Sequence, residues 1–529
     1  MIGADDKAIK ILKDFESCST ERMNWESQWR NISKYVIPFK DDVFQTNQPG
    51  QKKGHDISDA TAVLSNDFLA SALHSMLTNP ATPWFSLSAG DYKLDRRDDV
   101  RKYFQECTMI MHEVFGNSNF HVEIHELYLD LGAFGTGIML MEEDDDDVAR
   151  FRSCPVYTSY IKENYKGVVD TIYRTYKMTA DNIIELYGKE AFPSGTNIES
   201  ILKDPSKKYD IVHAVYPRND RMYGVITPSN MPFASTHIFK DYKKVLKDSG
   251  YTTFPYIAPR WSKISNEVYG RSPAMKALPD IQMLDEMKRI TLRGAQKIVD
   301  PPMMAPDDGM SLPIKVSPSG INYYRAGTTD RIEQMDIKSR IDFGYQVLED
   351  IRASIKSAFY LDRLQLQDGP QKTAEEVRAL TDQNLRVLGP VLGRQHNETL
   401  KPIVERVFDI GSKKGIFPQA PDVLKSKGYQ VQYSSMIARS QKMTEVENLN
   451  RFLAMAGPLL SVDPTVIDNI NLDEAILYSA KKSNVPEEII RDADERDQLR
   501  QARAEQAQAM QQQQNETHAA DMVQKTANA

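Results

Sequence analysis

Cysteine is nearly absent: Cys18, Cys107 and Cys154 are the three in 529 residues. Their wide spacing and odd number exclude a disulfide framework and fit a reducing compartment. No run of about 18 apolar residues occurs, so no segment is expected to span a membrane. The nearest candidate, Ile138 to Met141, is strand-sized. The first residues, MIGADDKAIKILKDFES, read as a charged amphipathic helix without the apolar core of a signal peptide. No G-x-x-x-x-G-K-[ST] loop is present, which disfavours a P-loop ATPase. The nine histidines are scattered, and no Ser/His/Asp or Cys/His set can be assembled. These absences assign no catalytic residue, no metal and no cofactor, and point to a structural role.

What is present is an ordinary globular composition, 41% apolar and 26% charged. The length suits about three or four domains. A net charge of −8 argues against a protein that grips nucleic acid over its whole surface and leaves room for a local basic strip.

Residues 5–36 read as a helix with Ile9, Leu12, Trp25, Trp29, Ile32 and Val36 at helical spacing, stopped by Pro38. Further helices are expected at 56–77, 95–115 and 119–131. The pattern then turns to β-branched and aromatic residues between turn signals, which predicts a β-rich domain over about 136–262 with one inserted helix at 180–187. The stretch Tyr269 to Pro302 predicts one long helix, opened by Tyr-Gly-Arg-Ser-Pro and stopped by Pro301 and Pro302. Its stripe of Met283, Met287, Ile290, Gly294 and Ile298 reads as a packing seam, with Gly294 allowing close approach. A Pro/Gly-rich piece leads to a second long helix, 339–359, with Ile341, Tyr345, Leu348, Ile355 and Phe359 on one face. Thr373 with Glu376 forms a capping box, and the helix it opens should kink near Gly389-Pro390. Helices and a Gln/Ala-rich tail complete an α+β, mainly α, chain.

Several motifs carry a functional and a bland reading. His121-Val-Glu-Ile-His125 puts two imidazoles one turn apart, yet Val122 stands where the metalloprotease pattern needs Glu, so a solvated helix face is expected. Gly132-Ala-Phe-Gly135-Thr-Gly137 leads from helix to strand, the reverse of a dinucleotide loop, and reads as a helix-ending turn. The acidic run Glu142 to Asp147 lacks the alternation and glycine of a calcium loop and reads as a solvated hairpin tip. Lys288, Arg289, Arg293 and Lys297 on the first long helix, and Arg352, Lys356 and Arg363 on or just past the second, are either solvated faces and ion pairs or sparse contacts to a polyanion. The interleaved Asp280, Asp285, Glu286, Glu349 and Asp350 rule against a tight cationic clamp.

In order and spacing, WRNISKYVIP (29–38), ASALHSMLTNPATPW (70–84), the 134–140 turn and strand, 269–302, KTAEEV (372–377) and SQKMTEVENLNRFLAMAGP (440–458) resemble the portal proteins, or head-to-tail connectors, of short-tailed T7-like bacteriophages. The resemblance covers roughly residues 20–500. Near Thr373 it departs from the pattern, with Glu375 in place of a second Thr. It implies a portal fold of wing, stem, clip and crown, built as a ring of identical subunits, usually twelve, around a DNA channel at one capsid vertex. By order, 1–264 would be the wing (helical 1–135, β-rich 136–262), 265–299 and 339–360 the stem helices, and 300–338 the clip. Residues 361–372 would be the tunnel loop, 373–435 the kinked helix returning to the wing, 436–500 the crown and 501–529 the tail. Arg363, Gln365, Gln367 and Lys372 would then approach double-stranded DNA. Implied partners are the terminase large subunit, the major capsid and scaffolding proteins, and tail adaptor or nozzle proteins. The implied location is the virion after assembly in the host cytoplasm. The alternatives from other classes are a soluble metal-dependent nucleic-acid enzyme using Glu142 to Asp147, and an internal virion or scaffold protein.

Overall fold

A computed structural model of the chain describes residues 4–43, 57–192, 207–301, 303–304, 333–334, 341–364, 386–424, 430–433, 436–460, 468–491 and 495–510, apart from a few positions inside those ranges. Over the described residues it is a mixed helix and strand fold, 60% helical. In chain order come α1 (Ala4–Tyr35), α2 (Thr61–Leu77), β1 (Phe85–Ser88), α3 (Asp98–Asn117) and α4 (Phe120–Phe134). Then follow β2 (Met139–Asp144), β3 (Val148–Ser153), β4 (Ser159–Glu163), β5 (Val169–Thr179), α5 (Ala180–Tyr187), β6 (Lys208–Pro217), β7 (Phe233–Phe239), β8 (Lys244–Tyr251) and β9 (Tyr256–Ile257). The two long helices are α6 (Pro273–Val299) and α7 (Ile341–Ala358). The chain divides into two compact units, residues 1–81 with 113–414, and 82–112 with 415–529.

In the first unit, β4 to β8 form a five-stranded antiparallel meander, and β3, β2 and β9 a second small sheet. Side chains alternate across a strand. Val212 and Ala214 of β6 meet Ala8, Ile11, Leu12 and Phe15 of α1, whereas Ile211 packs with Ile183 of α5, Phe192 and Phe239. The apolar spacing of α1 is therefore used against a sheet. Gly135 ends α4 in a left-handed conformation at φ 76°, as a helix-ending turn requires. The acidic run is a β2–β3 hairpin in which Glu142 faces Arg150. Lys413 lies 3.5 Å from Glu143, and Asp145, Asp146 and Asp147 are exposed at the tip.

His213 and His237 are cross-strand neighbours with rings stacked 4.2 Å apart at 12°. His213 bonds Tyr256 and Ser235 at 2.9 Å each, and His237 bonds the hydroxyls of Tyr176 and Tyr187. Burial, with Lys247 beside it, lowers His237 to about 4, and burial next to His237 and Arg174 holds His213 well below the ordinary range. With folded values depressed, the stability tied to their neutral forms is complete above about pH 6.5 and is lost as pH falls toward 4. For His237 alone the loss at pH 5 is about 2 kcal/mol. Thermal melts should therefore show a clear drop from pH 7 to pH 5, smaller in His237→Gln. Equal melting temperatures at the two pH values would contradict this.

The second unit holds an antiparallel pair of β1 with Gln430–Tyr433, in which Phe85 faces Tyr433. It also holds the helix Met436–Leu460 and the helix Leu472–Lys482, joined where Tyr478 and Lys482 meet Glu445 at 2.6 Å and 2.5 Å.

Candidate functional site

The lead-in to α6 is built residue by residue. The Tyr269 ring lies against Trp25 and Trp29, with centroids 5.8 Å and 5.2 Å away, and its hydroxyl accepts from the Ile161 amide. Gly270 passes so close to Gly135 that a Cβ there would sit 2.2 Å from the Gly135 carbonyl oxygen. Arg271 pairs with Glu267 and covers Trp25. Ser272 is the N-cap: its hydroxyl accepts from the Met275 amide at 2.9 Å and donates to the Ala133 carbonyl at 2.7 Å. Pro273 follows at the first helical position, where its missing amide costs nothing. The helix then runs 27 residues, roughly 40 Å, through Pro279 to Val299. Asp300, before Pro301, is already out of helical geometry at φ −129° and ψ 78°.

α7 returns antiparallel along α6. Ser354 donates to Asp280 at 2.8 Å toward one end, and toward the other a Cβ placed at Gly344 would lie 3.5 Å from the Thr291 hydroxyl oxygen. Close approach inside the chain is therefore at Gly344. A Cβ at Gly294 would meet nothing within 4 Å beyond its own helix, so among the described residues the close approach expected there is not made within the chain. Leu348, Ile351 and Ile355 form the buried face of α7, continued by Phe359 just past its end, while Tyr345 is 53% exposed. Tyr345 thus leaves the expected stripe and Ile351 replaces it, because burial follows the contact with α6 and α2.

A carboxylate that the motif reading did not single out locks the pair. Asp59, buried at 4% side-chain exposure, accepts from Lys288 of α6 at 3.2 Å and from Arg352 of α7 at 2.7 Å. It also accepts from the Thr61 amide and hydroxyl. Asp285 of α6 in turn accepts from the Ser58 amide at 2.5 Å. Burial would raise Asp59, but the hydrogen bonds from Thr61, Arg352 and Lys288 outweigh it and hold the carboxyl well below its usual range. A signal was available: Asp two residues before Thr at the head of an apolar run is a local backbone-capping pattern.

This distributes the basic residues. Lys288 and Arg352 are engaged within the chain, Arg352 also with Glu349. Arg289 pairs with Glu286 on the surface. Arg293, Lys297 and Lys356 are exposed and make no ion pair among the described residues. Arg363 is in a short helix, Leu361–Leu364, 3.9 Å from Asp362. Gln365, Gln367 and Lys372, the capping box at Thr373, most of residues 300–338 and the tail beyond 510 lie outside the described residues. Residues 386–395 are helical through Gly389 and Pro390, and the irregularity is a π turn at His396–Leu400. There Gln395 donates to the Arg260 carbonyl, and Glu398 accepts from the Arg260 guanidinium.

A family model described as bacteriophage head to tail connecting protein matches residues 8–490. The chain belongs to that family. It is 30% identical to the probable portal protein of Bordetella phage BPP-1, over 95% of this chain and 92% of that protein. It is 28% identical to the portal protein of Salmonella phage epsilon15, over 96% and 93%. The portal protein of Escherichia phage T7 is 21% identical over 76% of this chain and 73% of its own. The function is accordingly the portal function in phage packaging, in a family that is structural rather than catalytic. A connector of head and tail belongs to the virion and has capsid and tail partners. No helix among the described residues is long and apolar enough to cross a membrane.

Proposed function

We propose that this connector forms a ring of identical subunits whose channel carries double-stranded DNA, with α6 and α7 as its stem. Residues 1–264 serve as the wing, 300–338 as the clip, 361–372 as the tunnel loop, 373–435 as the return to the wing and 436–500 as the crown. The terminase docks on the clip during packaging, and tail proteins take its place later. One observation carries the reading. Held rigid by Asp59, α6 leaves Met283, Ile290 and Ile298 exposed at 49%, 57% and 44%, in line with Gly294. An apolar stripe on a soluble helix needs a cover, and a neighbouring copy in a heterologous ring supplies one. Arg293, Lys297, Lys356 and Arg363, with Gln365, Gln367 and Lys372, are the residues proposed to guide DNA or pair between subunits. A sparse basic set on an acidic body lets DNA slide, because each added phosphate contact tightens the grip.

Native mass measurement and negative-stain images test this directly. The wild type should give toroids of about a dozen subunits, and Met283→Ser with Ile290→Ser should shift it to monomers that melt like the wild-type chain. A monomeric wild type, or rings unaffected by the double substitution, would sink the reading.

A further inference from the structure

Where α2 crosses α4, three imidazoles meet. His74 Nε2 lies 3.3 Å from His121 Nδ1, and the rings stand 5.4 Å apart at 80°. His125, one turn along α4, has its ring 6.2 Å from that of His74, and its Nε2 lies 3.3 Å from the Ser71 hydroxyl. Asp67, one turn before Ser71 on α2, interacts electrostatically with His125. The histidine pair of α4 is thus half-buried against a third histidine, not the solvated face expected from the sequence. The portal function leaves this cluster unused.

We propose that the seam binds one divalent transition-metal ion, zinc for preference, through His74 and His121, with His125 as third ligand. A tetrahedral zinc with nitrogens at about 2.0–2.1 Å holds them about 3.3–3.4 Å apart, which is the spacing found between His74 and His121. Among the described residues, no three of His, Cys, Asp and Glu already surround one point. The pair is therefore a two-ligand site that closes when His125 releases Ser71 and turns its ring inward. An all-imidazole set favours zinc, copper or nickel over calcium or magnesium. The ion would staple the C-terminal turn of α2 to α4.

The experiment uses the full-length chain without a histidine tag, stripped with chelator. Zinc is titrated by calorimetry and Co²⁺ by visible absorption. One ion per chain, a four-coordinate nitrogen-type Co²⁺ spectrum and a zinc-dependent rise in melting temperature are expected. His74→Gln or His121→Gln should lose more affinity than the 10–100-fold typical of an outer-shell change, whereas Ser71→Ala, which removes the bond competing for His125, should bind zinc at least as tightly as the wild type. Wild-type binding no tighter than that of the His74→Gln/His121→Gln double variant overturns the proposal. Should the double variant misfold, an all-oxygen, octahedral Co²⁺ spectrum in the wild type overturns it independently.

Discussion

Gly270→Ala is expected to abolish accumulation of folded, soluble protein. The added methyl would lie 2.2 Å from the Gly135 carbonyl oxygen and 2.9 Å from Arg260 Cβ. The first of these is main chain and cannot swing aside. Gly135 cannot yield, since it holds φ 76° and its own Cβ would meet the Gly270 carbonyl oxygen at 2.4 Å. Overpacking a core costs typically about 1–3 kcal/mol when side chains can adjust. Two crossed backbones beneath the Trp29–Tyr269 contact and the buried Arg260 leave no such freedom, so the cost falls above that range. Against a typical total stability of about 5–15 kcal/mol, that is decisive. Gly116, where an added Cβ would meet nothing within 4 Å, is the control: alanine there should be neutral or stabilising by up to about 1 kcal/mol. Soluble yield and thermal melting of the two variants settle the matter, and a Gly270→Ala protein that melts like wild type would refute the crossing.

The second large effect concerns Asp59→Asn, expected to cost about 3 kcal/mol, the low end for breaking a buried ion pair. The low end applies because Lys288 and Arg352 are 31% and 22% exposed and can partly rehydrate. The amide cannot neutralise two cations, and its own NH₂ competes with donors already aimed at that position. The sign with pH follows from the depressed carboxyl. The contribution is fully present above its ordinary range near pH 4 and is lost as pH falls further. Hydrogen exchange is the sharper readout. Protection should fall first in 273–299 and 341–358, and ring formation should weaken with it. Unchanged exchange in both helices would show that Asp59 does not hold them.

The long helices, the β-rich insert and the left-handed turn at Gly135 were legible because they rest on local chemistry. Ser272 and Pro273 start a helix whatever surrounds them, and Pro301 ends one. Less legible were the roles of single residues on those helices. Lys288 and Arg289 are neighbours in sequence with the same charge, yet one neutralises a buried Asp59 more than 220 residues away in the chain and the other pairs with Glu286 on the surface. Gly294 and Gly344 both look fit for helix contact, but among the described residues a Cβ would touch the partner helix at Gly344 and not at Gly294. Tyr345 sits at the right spacing for the buried face of α7 and is exposed, because the position of α2 and α6 decides which face is covered.

Sequence by itself determined that this chain carries no cysteine framework for disulfides and no P-loop motif, where the first long helix begins and ends, and the order of segments that marks a head-to-tail connector. Those properties depend on composition and on interactions within a few residues. Tertiary structure alone decided that Asp59 is the tie between the long helices, that Gly270 must cross Gly135, that His213 stacks on His237, and that His74 joins the α4 histidines. Each depends on contacts between residues far apart in the chain, where burial and the close approach of two elements set the energy.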